Sequence, residues 1–179
     1  MESASVQKIA NVLNTLVLIA FVCNLIALFL VPGLVFASPQ ARANLLFHVA
    51  IRYFLLAWTG VWCDAYLAVL TLFLLFSGVC TAFILWQARR VLKTILRGEP
   101  FSMENAISLR HAAIGCFLIA AAALIRLIFS ICLYRSPRPL ATYNALFVPI
   151  FAMAGLLCLV MSALFRQAAE LKAENDLTI

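Results

Sequence analysis

Charge is scarce in this chain. Only 11% of its 179 residues are charged, against about 25% in an ordinary soluble domain. No Asp or Glu interrupts any of its long apolar runs. The first shortage, set beside a hydrophobic content of 66%, excludes a soluble globular fold, because a core of this size cannot hide so much apolar surface. The second argues against a small proton-coupled exporter, which needs a buried carboxylate to exchange protons. Cysteine chemistry is equally thin. The six cysteines, Cys23, Cys63, Cys80, Cys116, Cys132 and Cys158, contain no CxxC, so neither a redox pair nor a zinc ribbon is indicated. Four sit in apolar runs, where cysteine acts as a small hydrophobe; Cys63 and Cys132, both near the outer ends of helices, are the two placed to pair. The two histidines, His48 and His111, fall on opposite expected sides of a bilayer and cannot share a metal. There is no GxxxxGK[ST] phosphate loop and no acid–base–nucleophile spacing. No catalytic residue, cofactor or metal is therefore expected, and the chain reads as a non-enzyme.

What is present is lipid-facing length. A spanning helix needs about 20 apolar residues, and four runs supply them, at about 12–33, 66–86, 112–133 and 145–165. The first resembles a signal sequence, with Val35-Phe36-Ala37 as a plausible cleavage site. Its apolar run is far longer than the roughly 7–15 residues of a signal core, and only Lys8 charges its front, so a retained helix is expected. Trp86, Tyr134 and Tyr143 stand near span boundaries as interface anchors. Lys8, Arg89, Arg90, Lys93, Arg97, Arg110, Arg166 and Lys172 fall on one side of this arrangement, and Arg42, Arg52, Arg135 and Arg138 on the other. By the positive-inside rule both termini are cytoplasmic. The same rule accounts for the net charge of +6, so direct nucleic-acid binding is not expected.

The outer loop, 37–64, contains an apolar stretch that invites a fifth span. Too few residues separate it from the next run for the chain to reverse. Gln40, Asn44, His48 and Arg52 recur every four residues and share one helical face. An amphipathic helix on the outer surface is expected there, with Gly60 bending it into the second span.

The cytoplasmic hairpin, 87–111, is the most informative stretch. The second helix is expected to run on past the membrane, with Val91, Leu92, Ile95 and Leu96 on an apolar face and Arg90, Lys93 and Arg97 on a basic one. Gly98 then stops the helix and Pro100 forbids its resumption. Ser102 is placed to N-cap the next helix, with Glu104 favourable in its first turn. Phe101, at the tip, either packs down on a neighbour or meets a partner. Beyond the fourth span, Leu164, Phe165, Ala168 and Leu171 keep a helical apolar stripe, while the end of the tail, from Glu174 on, reads as extended.

Arg126 is the charge well inside a span, which makes it a functional-site candidate by default at a cost of about 2.5–3.5 kcal/mol. It lies about 10 Å below the outer end at 1.5 Å per residue, close enough to snorkel. Asp64 is its acidic candidate partner. Asn14, Asn24, Thr71, Ser77, Thr81, Ser130 and Ser162 are expected to hydrogen-bond between helices.

Two motifs carry a family resemblance: Gly98-Glu99-Pro100-Phe101-Ser102-Met103-Glu104-Asn105 with Leu109-Arg110, and the closing Glu174-Asn175-Asp176-Leu177-Thr178-Ile179. In length, four spans, a GxPF-type loop between the second and third, and an ENDLT[IV]-like tail, the whole chain resembles a bacterial membrane family, number 2975 among the domains of unknown function. The resemblance implies the bacterial plasma membrane. It also implies a genetic setting beside small helix-turn-helix regulators, and no established activity.

The expectation is an all-α, polytopic four-helix membrane bundle with an outer amphipathic helix and a cytoplasmic helical hairpin. Its function is expected to be that of a non-enzymatic regulator or sensor. The partner-binding candidates are Gly98, Pro100, Phe101, Ser102, Asn105, Arg110, Glu174, Asn175, Asp176, Leu177 and Ile179, facing a cytoplasmic protein such as a transcription factor. Membrane lipids are partners by necessity, and homo-oligomerisation stays open. The alternative is a small transporter or a lipid-binding accessory subunit built around Arg126 and Asp64.

Overall fold

The computed structural model describes residues 2–36, 58–135 and 143–176. Within them are four long helices: α1 (Glu2–Phe36), α2 (Ala65–Leu96), α3 (Met103–Tyr134) and α4 (Tyr143–Asp176). Each has an apolar stretch long enough to cross a membrane. At 32 residues, α2 and α3 are about 48 Å long at 1.5 Å per residue, well beyond a hydrocarbon core of about 30 Å. The protein is an all-α, multi-pass membrane bundle, with no strand among the described residues. The expected outer amphipathic helix and its Gln40, Asn44, His48 and Arg52 stripe lie outside the described residues. The described end of that segment is a short helical turn through Gly60 and a 3₁₀ turn (Val61–Cys63). The fully buried Val61 anchors the turn, which packs on α2 and α1.

The helices pack in chain order. α1 lies on α2, α2 on α3 and α3 on α4, while among the described residues the α1 backbone approaches neither α3 nor α4. α3 is consequently the most buried helix, with Ala113, Ile119 and Ala123 at its core. Each contact is seated on a glycine. A Cβ at Gly78 of α2 would stand 2.8 Å from Leu28 of α1, one at Gly115 of α3 2.9 Å from Ile84 of α2, and one at Gly155 of α4 3.0 Å from the Phe117 ring of α3. Lipid tails are as apolar as leucine, so these helices associate by close packing rather than by escape from water. A missing side chain on one helix lets a large one on its neighbour enter. Phe73 of α2 also meets Phe147 of α4 edge-on at 6.1 Å, a favourable aromatic geometry.

The polar residues of the spans divide. Ser162 does bond between helices, its hydroxyl donating to the Ala106 carbonyl at 2.7 Å. Ser77 and Thr81 instead donate to Leu74 and Ser77 carbonyls of their own helix, the local option that short hydroxyls always have. The side-chain oxygens of Asn14, Asn24 and Thr71 are buried and have no partner among the described residues. Cys63 and Cys132 are both free and exposed.

Candidate functional site

The turn between α2 and α3 is built by its own motif. α2 ends at Leu96 and Gly98 takes a φ of +84°, a left-handed conformation that costs a residue with a Cβ about 1–2 kcal/mol. Gly98 N–H then donates to Ile95 at 3.0 Å and Glu99 N–H to Thr94 at 3.1 Å, the paired bonds of a Schellman termination that satisfy the last carbonyls of a helix. Ser102 N-caps α3, accepting from Asn105 N–H at 3.3 Å, with Glu104 in the first turn.

Asn105 locks the two ends together and is wholly buried. Its Nδ2 donates to the Pro100 carbonyl at 2.8 Å. Because a carbonyl can only accept, that contact fixes the amide, and Oδ1 faces the Thr94 hydroxyl. Thr94 Oγ1 also lies 2.7 Å from the Val91 carbonyl, so its single proton serves either acceptor. The partner-binding candidates therefore separate by role. Gly98, Pro100, Ser102 and Asn105 shape the tip, whereas Phe101 is displayed by it.

Phe101 packs down on a neighbour. Its ring lies 5.7 Å from that of Phe165 on α4, and it still exposes 54% of its surface. Beside it runs a crease between the start of α3 and the far end of α4. One hollow of about 310 Å³ is lined by Phe101, Met103, Glu170 and Lys172. A second, of about 250 Å³, is lined by Met103, Ile107, Arg110 and Arg166. Met103 and Ile107 are exposed here.

The end of the tail differs from expectation. Glu174, Asn175 and Asp176 are helical rather than extended, because α4 continues unbroken to Asp176. Leu177, Thr178 and Ile179 lie outside the described residues. Two ion pairs stand at this end among the described residues: Arg90 with Glu104 at 3.0 Å across α2 and α3, and Arg166 with Glu170 at 2.8 Å along α4. Both are half-exposed or more, each contributing about 0–1 kcal/mol. The apolar stripe of α4 is also split. Phe165 and Ala168 turn inward, while Leu164 and Leu171 are exposed.

At the opposite end, Arg126 does not pair with Asp64. The Asp64 carboxylate caps α2, accepting from Tyr66 N–H at 2.8 Å and Leu67 N–H at 3.4 Å. The Arg126 guanidinium sits 4.7 Å from the centroid of the Phe73 ring and has the Tyr66 side chain as its hydrogen-bonding neighbour. Tyr66 stands nearly two turns closer than Phe73 to the Ala65 end of α2.

Sequence reasoning missed Phe73, Tyr66 and Thr94, all of which act across a helix pair. Thr94 did leave a signal, a hydroxyl in the apolar turn before Gly98. Gln87 was missed as well; it and Arg89, which the sequence placed among the basic residues of the hairpin side, each have a buried side-chain atom unpartnered among the described residues. No group of three or more metal-ligating side chains occurs among the described residues.

No curated protein and no solved structure matches the chain. The family model described as Protein of unknown function (DUF2975) matches residues 52–179, which takes in α2, α3, α4 and both motifs and is narrower than the whole-chain resemblance. The chain belongs to that family.

Proposed function

We propose that this protein is a non-enzymatic membrane regulator or sensor whose hairpin and helical tail form a cytoplasmic docking surface for a protein partner, such as a helix-turn-helix transcription factor. The observation that carries the reading is Phe101, an exposed aromatic on a tip that a buried asparagine and a Schellman turn hold rigid. A turn needs no phenylalanine, and one fixed beside an apolar crease is organised as a contact. Arg90, Lys93, Arg97 and Arg110 around it are exposed and suit an acidic partner surface or anionic headgroups. With four spans, both chain ends fall on the hairpin's side, and the Lys and Arg count makes that side cytoplasmic in a bacterial plasma membrane.

The test pairs Phe101→Ala with deletion of residues 175–179. Both are expected to change downstream gene expression or partner capture while membrane insertion stays normal. If neither does, and replacing the hairpin arginines by glutamine is also silent, the regulator reading fails. A second reading, a small transporter or lipid-binding accessory subunit, draws its support from the opposite end of the bundle, where Arg126 lines a cleft between α2 and α3.

A further inference from the structure

The end of the bundle away from the hairpin has a cation with no protein anion to meet it. Of the seven acidic residues, Glu2, Glu99, Glu104, Glu170, Glu174 and Asp176 belong to the hairpin end, and only Asp64 belongs to the other. Asp64 is committed to the α2 N-terminus. The connecting segments 37–57 and 136–142 contain no Asp or Glu, so no further carboxylate of this chain is at hand. The same connecting segments contribute Arg42, Arg52 and Arg138 to the sequence, and Arg135 directly follows α3.

Arg126 forms the floor of a cleft of about 400 Å³ between α2 and α3. It is 7% exposed and Phe73, beside it on the floor, 6%. The rim is apolar and open: Leu72, Phe76 and Ile125 are all exposed. Along the helices the cleft runs from Val69 and Phe129 down past Arg126 to Phe76 and Ala122, toward the middle of the bilayer. A cationic floor beneath an apolar, laterally open trough is the complement of one molecular shape, a negative group attached to a hydrocarbon chain. The Phe73 face attracts the guanidinium without neutralising it, and Tyr66 brings a hydroxyl rather than a carboxylate.

We propose that this cleft is a binding site for an anionic phospholipid from the leaflet at the Ala65 end. The phosphate engages Arg126 beside Tyr66, and one acyl chain lies in the trough over Phe76 and Ala122. Guanidinium matches phosphate oxygens through paired N–H donors, and the leaflet is the nearest supply of anion. The site would couple lipid composition to the α2–α3 contact, the same two helices that carry the hairpin, although the lipid site stands whether or not the hairpin docks a protein.

Native mass spectrometry of the full chain in mild detergent tests this. The protein is offered phosphatidylglycerol and phosphatidylcholine with identical chains in equal amounts, and oleate in a separate arm. Wild type is expected to retain one phosphatidylglycerol in at least tenfold preference to phosphatidylcholine. Arg126→Gln should abolish that preference, and Arg126→Lys should keep part of it. Ala122→Phe, which fills the trough and leaves the charge, should lower retention at least tenfold. Arg135→Gln, outside the cleft, should retain the lipid. Equal retention of the two lipids by wild type, or undiminished preference in Arg126→Gln, would overturn the site. So would an equal loss in Arg135→Gln, which would mean diffuse attraction, or retention of oleate in place of phosphatidylglycerol. Should Arg126→Gln fail to fold, the wild-type lipid comparison and Ala122→Phe decide.

Discussion

The Thr94 hydroxyl of α2 and the Asn105 side-chain oxygen of α3 meet inside the root of the hairpin, eleven residues apart in the chain, and the amide nitrogen of the same asparagine holds the Pro100 carbonyl. A polar residue with no exposed surface thereby ties a helix end, a turn and a helix start into one unit. An unsatisfied buried group costs about 1–3 kcal/mol. Asn105→Ala, which orphans the Pro100 carbonyl, is expected to destabilise by about that amount. Asn105→Asp should be worse, because an anionic oxygen would replace the N–H donor and face a carbonyl. Thermal unfolding in detergent and proteolysis at the hairpin tip measure both. Equal tolerance of Ala and Asp would show that the Pro100 bond contributes nothing.

Gly155 faces the Phe117 ring with three ring atoms 3.0–3.2 Å from where a Cβ would stand. An aromatic ring has no flexible end to move aside. Gly155→Leu should overpack the α3–α4 contact and destabilise by about 1–3 kcal/mol or more, read as a lower unfolding temperature. Gly98→Ala, where nothing lies within 4 Å, should cost about 1–2 kcal/mol purely through its left-handed backbone. If Gly98→Ala proves neutral while Gly155→Leu is harmful, the turn geometry has relaxed and only the packing argument stands.

Asp64 and Arg126 should behave independently. Asn caps helices as well as Asp does, whereas Ala costs about 0.5–2 kcal/mol at a cap. Asp64→Asn is therefore expected to be nearly silent and Asp64→Ala to be destabilising. Arg126→Leu should add to either without coupling, within about 0.3–0.5 kcal/mol. A coupling energy well above that in the double-mutant cycle would restore the ion pair.

Topology is open to a direct measurement. Reporter fusions after Ile179 and at Gln40 are expected to read opposite sides of the membrane, with Ile179 cytoplasmic. A fusion after Ile179 that reports outside would reverse the assignment of the hairpin and remove the cytoplasmic-partner proposal with it.

The sequence by itself determined whatever depends on residues near one another in the chain. The four apolar runs, the stop at Gly98, the cap at Ser102 and the charge placed by Glu104 are local, because hydropathy and backbone sterics act within a turn or a span. The extended tail was misread for the same local reason: polar Glu174, Asn175 and Asp176 look like a frayed end, yet α4 simply continues through them. Only tertiary structure decided which helix faces meet. In water, burial marks a face by its hydrophobicity. In lipid that contrast vanishes: Ile119, fully buried, and Ile125, 69% exposed on the outside of the bundle, are the same residue type on the same helix. The register that sets Arg126 on Phe73, Gly155 on Phe117 and Thr94 on Asn105 therefore leaves no periodic trace, because close packing and shape select it and a lipid-exposed side chain obeys no different rule from a buried one.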